Sequence, residues 1–224
     1  MGNKLVDLCE QALAMKGDYD FGNLKYLSVG ITGYISKRVV KEIKKLQYTL
    51  DGEVKEIYLI ECNADQPNYK YYCLALEELD TTSEPFVMRF KPLVAMLLEY
   101  TTKYRGLGYG PFRVVRGVET LTSFRGKGLG KKLYTVLVDD LKWTLMGDQE
   151  QYAGARNLWT SLSNSPGFKV DIVELATGKV IAKDVNLQDA LDERIWTDED
   201  LKLTGTKEER MRGRFNRLVL TKVI

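Results

Sequence analysis

The sequence contains no histidine. That absence excludes His-based nucleophilic triads, histidine-ligated zinc and an imidazole general base. Any acid–base chemistry must therefore use Asp, Glu, Tyr, Lys, Cys, a terminus or water. Cysteine is scarce as well. Cys9, Cys62 and Cys73 show no metal-ligand spacing and cannot all pair with one another, which fits a reducing cytosol and a protein without a metal. No stretch approaches the roughly 18 uninterrupted apolar residues that read as a transmembrane helix. Residues 1–20 alternate apolar and charged side chains and lack the pattern of a secretory leader. The chain is expected to be cytoplasmic, with no membrane association. Charge of one sign is also missing: 33 Lys and Arg face 31 Asp and Glu, a net charge of +2. Nothing global draws such a chain to nucleic acid. Repeats and low-complexity linkers are absent, so the 224 residues are expected to form one domain, 1–224, large enough for a single core.

What is present is an alternation of strand and helix signals. Residues 4–15 carry a helical stripe of Leu5, Leu8, Cys9, Ala12 and Leu13 closed by Gly17. Ile35, Val39, Ile43 and Leu46 recur three or four apart, which predicts a second helix over 35–47. The β-rich runs 56–61 and 69–77, separated by a turn containing Pro67, predict a hairpin. Pro92 suits the first turn of a helix through Leu93, Met96, Leu97 and Tyr100, broken by Gly106, Gly108 and Gly110. A strand at 112–122, a helix at 131–141, a short strand at 142–147 and a helix at 154–162 follow. A hairpin, 168–175 and 179–183, turns at Thr177 and Gly178. A helix at 189–203 and a strand at 215–223 complete the reading. Together these elements imply a mixed α/β sheet covered by helices on both faces.

One segment carries chemistry. The run VETLTSFRGKGLGKKLYTVLVDDL, residues 118–141, is a strand end followed by Arg125, Gly126, Lys127, Gly128, Leu129 and Gly130 at the start of an amphipathic helix. Glycine there permits positive φ and lets a ligand reach bare backbone. Free N–H groups at a helix start, aided by its dipole, form an anion site. Arg125, Lys127, Lys131 and Lys132 add cationic charge. The Walker A spacing and the dinucleotide Gly-x-Gly-x-x-Gly spacing are both missing. The bland alternative is a glycine-rich surface turn whose lysines are merely solvated.

The spacing Arg/Gln-x-x-Gly-x-Gly/Ala between a strand and a helix resembles motif A of the GNAT N-acetyltransferases, whose loop binds the coenzyme A pyrophosphate. The order of elements downstream agrees, through 142–147, the Ala155–Trp159 core of a second helix, and the step Gly167, Phe168. The resemblance covers about residues 112–175, the expected acetyl-CoA-binding core, with 176–224 as a C-terminal hairpin, helix and strand. The run of Gly147, Asp148, Gly154, Ala155, Arg156, Leu158, Trp159 and Leu162 resembles virus-encoded members most, which would put the protein in host cytoplasm. The resemblance implies a GNAT-like three-layer α/β/α fold with a central, mostly antiparallel mixed sheet. It also implies acetyl-CoA as co-substrate. Arg125, Gly126, Lys127, Gly128, Leu129, Gly130 and Lys131 would lie on the pyrophosphate, and Thr120, Leu121 and Thr122 along the pantetheine arm.

Departures from the family pattern bear on catalysis. Many members carry an Asn three residues before the helix alanine and a Tyr four residues after it as general acid; here those positions hold Tyr152 and Trp159. An indole has no transferable proton to give a thiolate, so Trp159 is expected in the core. The family takes its oxyanion donor from motif-strand backbone N–H, here near Thr120 and Leu121. For proton transfer three candidates remain: Glu119 in the strand, Asp148 after the next strand, and Tyr152 as a relocated acid. Each has a structural reading beside it, as a solvent-facing glutamate, a helix N-cap and a packed tyrosine respectively. The basic run Lys207, Arg210, Arg212, Arg214 and Arg217 reads as a solvated face, or as a contact for an acidic acceptor. Its thin aromatic content argues against nucleic-acid stacking. The function so implied is direct acetyl transfer from acetyl-CoA to an amine on a protein or small molecule. The alternative is a weak or inactive acyl-CoA-binding interaction protein, host-modulating or virion-associated. A homodimer is left open.

Overall fold

A computed structural model describes residues 35, 37, 40–64, 67–81, 85–102, 107–109, 111–147, 153–187, 195 and 216–223. The expected helices at 4–15 and 189–203 lie outside the described residues. The chain divides into two compact units, Met1–Glu99 with Gly117–Leu133, and Tyr100–Arg116 with Tyr134–Ile224. It is an α/β protein, and its nine described strands are of mixed orientation. Among the described residues, no helix is long and apolar enough to cross a membrane.

The first unit is built on an antiparallel meander of β1 (Val40–Leu50), β2 (Glu53–Asn63), β3 (Tyr69–Asp80) and β4 (Val87–Thr101), whose last two residues belong to the second unit. Two expected helices are strands here, and each error has a physical cause. In β1, Glu42 pairs with Ile60 and Lys44 with Leu59, so Ile43 is an extra, bulged residue. The bulge interrupts the two-residue alternation. Val40, Ile43 and Leu46 are then half-buried at three-residue intervals, which in sequence imitates a helix. In β4, Leu93, Val94, Ala95, Met96 and Leu98 are all fully buried. A continuous apolar run of that kind carries no period that separates strand from helix. Pro92 is not a helix start. It pairs with Ala75 beside a second bulge, because Leu74 pairs with Val94 and leaves Leu93 extra. A residue without an N–H is tolerated at such a break in the ladder.

One face of this meander holds an apolar cluster of Ile35, Tyr58, Ile60, Cys62, Tyr71, Cys73, Ala75, Phe90 and Ala95, with Leu121 packed against it. The bulged Leu93 turns its carbonyl to the N–H of Leu121 at 2.9 Å. The bulge thereby anchors the start of the glycine-rich segment on the meander.

The second unit orders its strands β5 (Phe112–Thr120), β6 (Thr144–Met146), β9 (Asn216–Lys222), β7 (Phe168–Glu174) and β8 (Lys179–Ala182). β5 itself runs on into the first unit from Gly117. β5 and β6 are parallel, with Phe112 opposite Thr144 and Val114 opposite Met146; the remaining pairs are antiparallel. A small core of Phe112, Val114, Met146, Val173 and Val219 fills one side. Helix α1 (Leu129–Thr135), whose first five residues belong to the first unit, continues into a π-turn over Val136–Asp140, closed by the Leu141 N–H on the Val136 carbonyl at 3.2 Å. Helix α2 (Ala153–Ser163) buries Trp159, which is 2% exposed, edge-on to Tyr134 with ring centroids 5.7 Å apart. Trp159 is thus the core residue expected of it.

Candidate functional site

The glycine-rich segment forms a compact loop between β5 and α1. After Leu121 the chain makes a 3-10 turn over Thr122–Phe124, with the Phe124 N–H on the Leu121 carbonyl at 2.7 Å and the Arg125 N–H on the Thr122 carbonyl at 3.3 Å. Gly126 and Gly128 then adopt φ of 77° and 76°, values open to glycine and strained for other residues. The two glycines bracket Lys127 and turn the chain into α1, where Lys132 is the first amide to bond back along the helix, to Gly128 at 2.9 Å. The amides of Leu129 and Gly130 come before that bond and have no carbonyl one turn earlier within the helix. A Cβ built on Gly126 would meet nothing within 4 Å, whereas one on Gly128 would meet Tyr48 Oη at 3.0 Å. One side of the loop is therefore open, and the other is backed by β1.

Both loop cations are held by carboxylates. Arg125 donates from Nη2 to Glu119 Oε1 at 2.5 Å and from Nε to the Thr120 carbonyl at 3.2 Å. Lys127 Nζ lies 2.6 and 2.7 Å from the two oxygens of Asp51 and 5.1 Å from the Phe124 ring centroid. Tyr48 donates its hydroxyl to the Lys127 carbonyl at 2.5 Å. Partial burial raises the Tyr48 phenol pKa, so the hydroxyl stays protonated as that donor requires.

Of the residues read from sequence, Glu119, Thr120, Leu121, Thr122 and 125–131 are brought together in this one segment of the first unit. Asp148 and Tyr152 lie outside the described residues. So do Lys207, Arg210, Arg212 and Arg214; Arg217 is buried in β9, donating to the Asn216 carbonyl at 2.7 Å, and is not part of any exposed basic face. Tyr48 and Asp51 escaped the sequence reading. The signal was the Asp51-Gly52 dipeptide, which marks a hairpin turn with positive φ at both residues, here 53° and 83°. Reading 35–47 as a helix hid it.

A second polar constellation lies along β1–β3 in the same unit. Tyr58 donates its hydroxyl to Glu56, Lys45 Nζ lies 3.4 Å from the same carboxylate and 5.0 Å from the Tyr58 ring centroid, and Lys37 pairs with Glu77. The Glu56 carboxylate, with burial adding to it, pushes the Tyr58 phenol up to about 12. In the second unit, Asp171 is buried and accepts the Tyr109 hydroxyl at 2.6 Å and the Asp184 N–H at 2.8 Å. Burial and that carboxylate raise the Tyr109 phenol pKa.

Set against known proteins, the chain matches no family model, no curated protein and no solved structure.

Proposed function

We propose that this protein binds acetyl-CoA and transfers its acetyl group to an amine, on a GNAT-like three-layer α/β/α fold. The observation that supports this most is the loop at 125–130. Two glycines at positive φ flank a lysine, an arginine precedes them, and a helix begins where they end. Bare backbone open on one side at Gly126, with two cations and leading helix amides, suits a diphosphate. Arg125, Gly126, Lys127, Gly128, Leu129, Gly130 and Lys131 would hold the pyrophosphate, with Thr120, Leu121 and Thr122 along the pantetheine. The strand, loop, helix, parallel strand, helix and strand of 112–174 follow the order that the sequence resemblance implies.

The reaction is a direct transfer. The amine nitrogen attacks the thioester carbonyl, a C–N bond forms and the C–S bond breaks, the nitrogen loses a proton and the thiolate gains one. The Leu121 N–H that the resemblance offers for the oxyanion is engaged by the Leu93 carbonyl at 2.9 Å, so an oxyanion donor would have to be another amide at the end of the motif strand. Glu119 already has Oε1 on the Arg125 guanidinium, so we assign it to positioning that cation. Asp148 and Tyr152 remain the candidates for moving protons.

Trp159 favours a second reading. The position where many family members carry a tyrosine acid is a buried indole here, which cannot protonate a thiolate. An acyl-CoA-binding protein with slow or no turnover fits that substitution. Calorimetric titration with acetyl-CoA, free CoA and NADP tests both readings. Selective binding of the CoA species supports the site, and transfer of labelled acetyl to an amine panel then separates enzyme from binder. Absence of binding would remove both.

A further inference from the structure

The same loop carries a feature that anion binding alone does not require: two side chains from the β1–β2 hairpin converge on Lys127, about 80 residues away in sequence. Tyr48 holds its carbonyl at 2.5 Å, and Asp51 holds its ammonium through both carboxylate oxygens at 2.6 and 2.7 Å. The two contacts have different consequences. The carbonyl contact acts on the backbone between the two positive-φ glycines, and Tyr48 Oη also stands 3.0 Å from where a Gly128 Cβ would be. It fixes the loop's shape from behind. The carboxylate contact acts on charge. Asp51 offers Lys127 two anionic oxygens in one plane, as a phosphate would, at the tip of a turn that is two-thirds exposed on its side chain. A residue other than glycine at φ 53° is uncommon, and Asp is among the few that accept it.

We infer that the β1–β2 hairpin is a working part of the phosphate loop, with Tyr48 as a positioning residue and Asp51 as a built-in anion that an incoming phosphate must displace from Lys127. The inference rests on the anion-binding reading and adds regulation to it. Asp51 sets how tightly the loop holds its ligand, and when displaced it frees the hairpin tip. An exposed ion pair of this kind is weak, so the competition tunes affinity without abolishing it. Asp51 also adds a negative charge next to a site for negative charge, and that repulsion is screened by salt.

The test is calorimetry with two probes, acetyl-CoA and inorganic pyrophosphate, on the wild type, Asp51→Asn, Tyr48→Phe, Lys127→Ala and the double variant Asp51→Asn with Lys127→Ala. Asp51→Asn should bind both probes about two- to fivefold more tightly, the range an exposed ion pair can contribute. The gain should shrink at high salt, and it should be smaller in the double variant relative to Lys127→Ala alone, where only the screened repulsion of Asp51 is left to remove. Tyr48→Phe should bind both probes more weakly while retaining its circular dichroism spectrum. If the wild type binds and Asp51→Asn binds equally or more weakly, the displaceable-anion role is wrong and the anion site stands. Equal binding by Tyr48→Phe removes its positioning role in the same way. If neither the wild type nor Asp51→Asn binds either probe, the anion reading itself fails and takes the inference with it.

Discussion

Arg125 and Glu119 form an ion pair across the end of β5, Nη2 to Oε1 at 2.5 Å, while the same guanidinium reaches the Thr120 carbonyl through Nε. The glutamate that the sequence offers as a base is thereby tied to the first cation of the glycine-rich loop. A carboxylate that serves by holding a cation contributes to ligand binding. One that takes a proton contributes to the chemical step.

The two roles predict different kinetics for Glu119→Gln. Loss of a general base lowers turnover by roughly 10²–10⁴-fold. Loss of a positioning carboxylate weakens coenzyme binding and leaves turnover at saturation nearly intact. We expect the second outcome: a KM for acetyl-CoA raised several-fold, kcat reduced less than about tenfold, and an unchanged pH profile. Initial-rate kinetics over a pH series checks it, and a collapse of kcat would return Glu119 to the base.

The loop glycines are not equivalent. Both sit at positive φ, where a Cβ costs roughly 1–2 kcal/mol. Gly126 has open space around its missing side chain, whereas Gly128 has Tyr48 Oη at 3.0 Å. Gly128→Ala must therefore also push back Tyr48 and disturb its bond to the Lys127 carbonyl. We expect Gly128→Ala to lower both melting temperature and acetyl-CoA affinity more than Gly126→Ala. Gly128→Glu, which adds a carboxylate where the proposed pyrophosphate would lie, should abolish binding. Thermal denaturation paired with calorimetry on the three variants decides this.

The backbone of the glycine-rich loop was more legible than the frame that supports it, for reasons visible in single residues. Gly126 and Gly128 have no side chain to mislead; where glycine recurs between a strand and a helix, a φ of 77° or 76° is the natural use for it. The second half of the chain alternates cleanly, and strands at 112–120, 168–174, 179–182 and 216–222 lie where their apolar periods put them. The meander was different. Ile43 is bulged and shifts its strand's period, and 93–96 is buried on both faces. Neither pattern exposes the two-residue alternation by which a strand is recognised. Tyr48 and Asp51 could not be assigned to the loop because their contacts with Lys127 join residues 79 and 76 apart in sequence, a tertiary approach that local sequence does not encode.

Trp159 separates packing from chemistry. It is fully buried against Tyr134 in the second unit, so Trp159→Ala should cost roughly 3–5 kcal/mol of stability, in the range of large-to-small core substitutions. Trp159→Phe should cost less, because it retains most of the apolar volume. If the indole took part in transfer, Trp159→Phe would lose turnover out of proportion to its small loss of stability. Denaturant unfolding alongside initial rates distinguishes the two, and we expect stability alone to move.

Tyr58 gives a test that needs no ligand. Its phenol donates to Glu56, and that carboxylate is the first cause of a pKa raised from 10.0 to about 12. The folded state therefore keeps its proton above the pH at which the unfolded chain releases it. The associated stability is fully present below about pH 10 and declines as pH rises from 10 towards 12, because there the native state binds more protons than the unfolded one. Lys45, raised by the Tyr58 and Glu56 partners, acts in the same direction at the alkaline end. Glu56→Gln removes the charged acceptor and should bring one phenol back towards its ordinary titration range. Ultraviolet difference titration of wild type against Glu56→Gln should show one tyrosine ionising earlier in the variant. Superimposable curves would mean that the Glu56 carboxylate does not govern Tyr58.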